Sequence, residues 1–270
     1  AAPQCYAEDI LAMKELGFNT LRKHIKVEPE EFYYQCDRLG MLVFQDMVNN
    51  AEYNYFRDTV LPTIGLQKRN DAHMHPDPDS RRIFLETMTA TVRQLHNHPC
   101  IVYWTIFNEA WGQFDSDRVY AQFKKLDDTR FIDTTSGWFR RKCSDVESLH
   151  IYFGPWSRLK TPGKPLVLSE FGGHTYAVMG HIFNPDKAYG YKSCATAEAF
   201  QASVEDLYRQ RILPAVKKGL CGAIYTQVSD VEDEINGLLT YDRKVCKADK
   251  AAMQKLAKEL TAAITPVGAN

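Results

Sequence analysis

Two glutamates in this chain are well placed for acid–base chemistry. Glu109 closes the run Ile106-Phe107-Asn108-Glu109, and Glu170 closes Leu168-Ser169-Glu170. Each follows an apolar stretch that reads as a buried strand, and the C-terminal ends of strands are where a parallel α/β barrel carries its chemistry. Two carboxyls facing one mouth can divide the work of breaking a glycosidic bond. One is protonated and gives its proton to the leaving oxygen; the other is ionised and attacks or shields the anomeric carbon. A gap of about 5–5.5 Å leads to retention through a covalent intermediate, and carboxyls that close push their pKa values apart, which helps keep the acid protonated near neutrality. Taken singly, a strand-end glutamate is as much at home capping a helix or pairing with a surface lysine.

The elements that must position such a pair alternate along the chain. Short apolar runs are read as strands at 18–23, 41–45, 101–107, 131–135, 149–152, 166–169 and 222–226. Between them lie amphipathic stretches read as helices: 8–16, stopped by Gly17; one opened by Pro29 and ended by Gly40; 80–95; 116–127; 197–218, kinked by Pro214; and 248–263. This is the pattern of a parallel sheet covered by helices. Residues 47 to 79, rich in Asn, Asp, His and Pro, are read as a long insertion shaping a pocket. The chain opens with a helix and seven strands are found, so an eight-stranded barrel is expected to lack its first strand here. Residues 1–270 are then expected to be one barrel domain of a longer protein, or a segment without a clear strand pattern fills the gap.

The composition is that of an ordinary globular chain: 270 residues, 44% hydrophobic, 25% charged, net charge −1. No long basic run points to nucleic acid, and no apolar stretch reaches the length of a membrane span. The first five residues lack the regions of a signal peptide. The seven cysteines are widely spaced with no C-x-x-C; Cys100 and Cys221, in apolar runs, read as small buried hydrophobes. His73-x-His75 and His96-x-His98 invite a metal reading, but no metal or other cofactor is assigned.

Several stretches resemble glycoside hydrolase family 2, which includes the β-galactosidases, β-glucuronidases and β-mannosidases. They are Gly17-Phe18-Asn19-Thr20-Leu21-Arg22-Lys23-His24, Cys36-Asp37-Arg38-Leu39-Gly40-Met41-Leu42-Val43, His98-Pro99-Cys100-Ile101-Val102, Trp104 to Glu109, and Lys164-Pro165-Leu166-Val167-Leu168-Ser169-Glu170-Phe171-Gly172. The likeness runs from about residue 8 to 245. It implies an α/β fold, a (β/α)8 TIM barrel, usually preceded by β-sandwich domains, acting on a carbohydrate substrate. It also implies that Glu109 is the acid/base and Glu170 the nucleophile. Asn108 would bond the sugar 2-hydroxyl, Arg22 would hold the nucleophile ionised, His24 would touch the sugar, and Tyr152 would stand near the nucleophile. A family tryptophan floors the sugar ring at the eighth strand; by this resemblance either Tyr225 would take its place or the floor differs here.

Trp111, Trp138 and Trp156 lie beyond strand ends and are candidates to line a pocket, whereas Trp104, mid-strand, reads as core. The acidic loop from Asp230 to Gly237 reads as a solvated turn, and Asp46 as a substrate contact or loop support. The run Phe171-Gly172-Gly173-His174 departs from the β-galactosidase pattern, and no Asn-x-Lys element of β-glucuronidases is found. The reading taken is an exo-acting retaining β-glycosidase with a β-galactosidase-like glycone. Its rivals are a carbohydrate-binding barrel without turnover and a metal-dependent hydrolase built on the histidine pairs.

Overall fold

A computed structural model describes residues 2–49, 56, 71–153, 156 and 163–264. The chain forms two compact units, Ala1–Ile10 with Asn19–His150 and Leu11–Phe18 with Ile151–Asn270.

In the first unit, strands β1 (Thr20–Lys23), β2 (Leu42–Asp46), β3 (Ile101–Asn108) and β4 (Phe131–Ser136) form a parallel sheet in chain order. The unbroken order, with no reversal, is what a sheet wound in one direction gives, as in a barrel. Helices α2 (Glu30–Leu39), α3 (Pro78–Leu95) and α4 (Ser116–Phe123) fall between successive strands. Gly40 ends α2 with φ 67°, the left-handed cap its sequence announces. The Asp77 side chain accepts from Ser80 N at the start of α3. Trp104 is wholly buried, as its mid-strand place predicts, and donates Nε1–H to Asp127 Oδ2 at 2.8 Å. Burial alone would raise the Asp127 pKa, but hydrogen bonds from Thr129, Trp104 and Arg130 outweigh it and hold the carboxyl below the usual range.

Helix α1 runs Pro3–Glu15, longer than its apolar pattern announces. Its first residues are exposed, so they carry no burial period to read. The chain passes into the second unit at the end of β5 (Glu147–Ile151). There β6 (Leu166–Gly172) pairs in parallel with β9 (Leu220–Thr226). A short parallel pair, β7 (His174–Tyr176) with β8 (Lys192–Cys194), escaped the sequence reading, because three half-exposed residues make too short a pattern. The expected helix 197–218 is α5 (Ala197–Leu207), a π-turn over Tyr208–Ile212, and α6 (Leu213–Val216). Pro214 has no N–H for the Gln210 carbonyl, and the residue before it, Leu213, donates to Tyr208 O in the wider pattern of a π-turn. Helix α7 (Lys250–Ala263) begins at the Asp249 cap.

Two expectations need correction here. Cys221 is exposed: it follows Leu220 on β9, and period-two alternation turns it away from the side on which Leu220 is buried. The loop after β9 is not a solvated turn. Asp230 is 2% exposed and accepts from Lys247 Nζ at 2.6 Å and from Gly237 N at 2.9 Å. A Cβ on Gly237 would lie 2.1 Å from Asp230 N, so only glycine admits this closure. Most of the 47–79 insertion, residues 50–55 and 57–70, lies outside the described residues.

Candidate active site

Within the first unit, Glu109 follows the last residue of β3. Its N–H bonds Ser136 O at 3.0 Å, and its φ of 49° is followed by 65° at Ala110. Two successive side-chain-bearing residues in the left-handed region cost roughly 1–3 kcal/mol each and mark a site whose surroundings hold it in place. The Glu109 side chain is mostly buried, and its Oε1 lies 2.7 Å from His150 Nδ1. The other ring nitrogen, His150 Nε2, lies 3.0 Å from Ser136 Oγ and 3.4 Å from Arg22 Nη1.

Arg22, on β1, organises this unit. Its Nε and Nη2 hold the two Asp46 oxygens at 3.0 and 2.8 Å, and Nη2 also reaches Asn108 Oδ1 at 2.7 Å. Arg22 and Asp46 side chains are 3% and 1% exposed, so this bidentate pair is strong and poorly screened. Asp46, read from sequence as a substrate contact or loop support, is the anchor of Arg22 and also accepts from Ile25 N. Asn108 is fully buried; Asn49 Oδ1 takes its backbone N–H at 2.6 Å. Asn108 Nδ2 has no hydrogen-bond partner among the described residues. A buried amide N–H of this kind is costly unless something accepts from it.

Within the second unit, Glu170 sits on β6 and Glu170 Oε2 accepts from Tyr152 Oη at 2.7 Å; Thr226 Oγ1 is 3.1 Å from the same hydroxyl. Burial first, then the Glu170 charge, pushes the Tyr152 pKa well above its usual value, so the phenol stays a donor. Tyr152 stacks on Tyr191 with centroids 4.0 Å apart and planes at 14°. Tyr191 in turn lies over Gly173, where a Cβ would come within 2.2 Å of its ring.

The sequence profile of the glycosyl hydrolases family 2 TIM barrel domain matches residues 3–262. The chain belongs to glycosyl hydrolase family 2. A β-galactosidase of Yersinia pestis bv. Antiqua (strain Angola) is 31% identical over 140 residues, 52% of this chain and 12% of that protein, and one of Yersinia pseudotuberculosis serotype O:1b (strain IP 31758) matches equally. The matched stretch is thus about one eighth of the length of these curated relatives. Among solved structures, a β-glucuronidase of an uncultured Clostridium sp. superposes with TM-score 0.66 at 18% identity, covering 97% of this chain and 47% of that one. A β-galacturonidase from Eisenbergiella tayi bound to galacturonate gives 0.65 at 17%, covering 97% and 48%. These likenesses support the TIM barrel fold that the family carries.

The remaining expected site residues of this family 2 barrel divide into three kinds. His24 is about half exposed, with Nδ1 3.7 Å from Asp46 Oδ2 and its ring edge-on to Trp111 at 6.1 Å. Trp111 and Trp138 are half-buried beyond their strands, and Trp156 meets the buried Phe171 edge-on at 6.4 Å. Tyr225, expected as a sugar floor, needs correction: it is 7% exposed and packs on Phe171 and Tyr208 at 5.6 and 6.4 Å. Alternation along β9 explains this, since Thr226, not Tyr225, reaches the Tyr152 hydroxyl. Of the histidine pairs, His98 is taken by Asp37 at 2.7 Å, and His73 and His96 are exposed. Sequence reasoning missed His150. The available signal was its place on the Ser148–His150 face of β5, opposite Leu149.

Proposed function

We propose that this family 2 barrel is the catalytic domain of an exo-acting retaining β-glycosidase that releases a terminal β-linked sugar. Glu170 attacks the anomeric carbon as its bond to the leaving oxygen breaks, and Glu109 gives that oxygen its proton. In the second half Glu109 takes a proton from water, the water oxygen attacks the anomeric carbon, and Glu170 leaves as a carboxylate. Asn108 Nδ2 donates to the sugar 2-hydroxyl, a bond that strengthens in the transition state. The observation that carries this reading is the buried amide Nδ2 with no described partner, next to a strand-end glutamate held in left-handed backbone.

Tyr152 keeps Glu170 oriented, and its raised pKa means it does so without competing for the proton. Arg22 acts on Asn108 and His150 in the first unit. The glycone is read as galactose-like, because the curated relatives at 31% identity carry that name. The same reading takes residues 1–270 as one catalytic barrel of a longer protein whose other domains are β-sandwiches.

A panel of aryl β-glycosides and a 2-deoxy-2-fluoro galactoside test this. The expected result is turnover of the galactoside in preference to the glucuronide and mannoside, and a covalent sugar on Glu170 by peptide mass mapping. An adduct on another residue, or a product of inverted configuration, would overturn the mechanism. Preference for the glucuronide would overturn the glycone.

A further inference from the structure

We infer that His150 is a positioning residue for Glu109, locked as the neutral Nδ1–H tautomer by Arg22, and that it decides which carboxyl oxygen of Glu109 carries the catalytic proton. The inference rests on the reading of Glu109 as acid/base.

Arg22 Nη1, 3.4 Å from His150 Nε2, can only donate, because a guanidinium has no acceptor and does not lose its proton in proteins. Nε2 must therefore be the bare nitrogen. The Ser136 hydroxyl, 3.0 Å from Nε2 and 3.2 Å from Ser148 Oγ, can donate to a bare Nε2 as well. A neutral imidazole with bare Nε2 carries its hydrogen on Nδ1, and that N–H points at Glu109 Oε1, 2.7 Å away. A second proton on the ring would face the Arg22 cation directly, so the neutral form is the one this seat holds.

The consequence falls on Glu109. With Oε1 accepting from Nδ1–H, the proton of the acid form belongs on Oε2. The carboxyl cannot rotate freely without giving up the bond to His150. His150 itself neither gains nor loses a proton through the cycle. The seat is built for the ring: Gly137 has φ 85°, and a Cβ there would lie 2.6 Å from His150 Nδ1. Asp46 completes the line by fixing the Arg22 fork. One arginine thus sets both neighbours at the end of β3, Asn108 directly and Glu109 through His150.

His150→Asn and His150→Gln separate this role from mere packing. The Asn amide nitrogen falls near the place of Nδ1 and can still donate to Glu109. The Gln amide falls near Nε2 and cannot. His150→Gln is expected to lose on the order of 10- to 100-fold in kcat/KM on glycosides with poor leaving groups, with little loss on activated aryl glycosides, and His150→Asn to recover most of that loss. Glu109→Ala supplies the reference pattern of leaving-group dependence. Equal behaviour of the two His150 variants, or a loss indifferent to the leaving group, would overturn the inference. A second readout is independent of turnover: the NMR shifts of the two imidazole nitrogens of His150 in the unaltered protein should show Nδ1 protonated and Nε2 bare. A protonated Nε2 overturns the inference even in an active enzyme. Absence of turnover on every β-glycoside would overturn the parent reading and leave the tautomer to be decided by these shifts.

Discussion

Glu109 follows the last residue of one parallel strand and Glu170 lies near the end of another, and the contacts described for the two differ in kind. Around Glu109 the support is ionic and directional: a bidentate Arg22–Asp46 pair, almost fully buried, passes its geometry to Asn108 and to His150. The contact described for Glu170 is with a neutral phenol, Tyr152, which stacks face to face on Tyr191. Directional networks fix atoms closely but fail abruptly when a member is lost, because the partners remain buried and unpaired. Aromatic packing is looser and fails gradually, since each stacked pair is worth only about 0.5–1.5 kcal/mol beyond its buried area. On the roles proposed above, this difference would suit an acid that presents its proton from one oxygen and a nucleophile that stays ionised and aimed.

The largest expected break in this comparison is Arg22→Met. It leaves Asp46, 1% exposed, as an uncompensated buried carboxylate and strips Asn108 Oδ1 of a donor. A destabilisation of about 3–5 kcal/mol is expected, read as a fall in the urea unfolding midpoint. A variant within about 1 kcal/mol of the parent would mean that the network is a passive contact. Arg22→Lys keeps the charge but not the fork, so it should recover only part of the loss.

The second unit also contains a buried group kept neutral, and it can be titrated. His174, 8% exposed and next to Ser203 Oγ at 3.0 Å, has its pKa pushed down to about 4, by burial first and then by the Lys192 charge. The free imidazole titrates near 6.5. Between those values the unfolded chain binds a proton that the folded chain refuses, so stability rises with pH across the window. His174 therefore contributes fully above about pH 6.5 and costs stability progressively as pH falls toward 4, by roughly 3 kcal/mol at the end of the range. His174→Gln should flatten that part of the pH–stability curve. An unchanged slope would show that the histidine is not held neutral.

How much of this was legible in the sequence depends on what each feature is made of. The strands from 101 and from 166 were legible because their burial is written as apolar residues; Asn108-Glu109 marks the end of β3, whereas β6 runs on through Ser169-Glu170 to Gly172. Asn108 and Tyr152 could be singled out only through resemblance to a family; composition alone gives them no mark. His150 was missed because its meaning lies in partners far off in the chain, Glu109 forty-one positions earlier and Arg22 one hundred and twenty-eight. Tyr225 was misread because alignment gives a position but not a face, and register shifts between β6 and β9 hide which residue points where. Asp230 and Lys247 look like solvated charges until the loop between them closes.

The smallest effects test the aromatic side of the comparison. Tyr152→Phe removes a hydroxyl that donates to a carboxylate, and hydrogen bonds to charged groups are worth about 1.5–3 kcal/mol, or roughly 10- to 100-fold in rate if Glu170 feels the whole loss. Tyr191→Leu leaves that hydroxyl in place and removes only the stack, so about 0.5–1.5 kcal/mol is expected, the same order as one aromatic pair. The ratio of the two decides the point. If Tyr191→Leu costs as much in kcat/KM as Tyr152→Phe, the stack is what aims the phenol, and Glu170 is held as rigidly as Glu109. If it costs several-fold less, with a weakened but intact bond from Tyr152 to Glu170, then Glu170 has the more forgiving support. Gly173→Ala acts on the same contact: its added methyl would meet the Tyr191 ring at 2.2 Å, on a backbone of φ 66°, while leaving the Tyr152 hydroxyl in place, so it should resemble Tyr191→Leu rather than Tyr152→Phe.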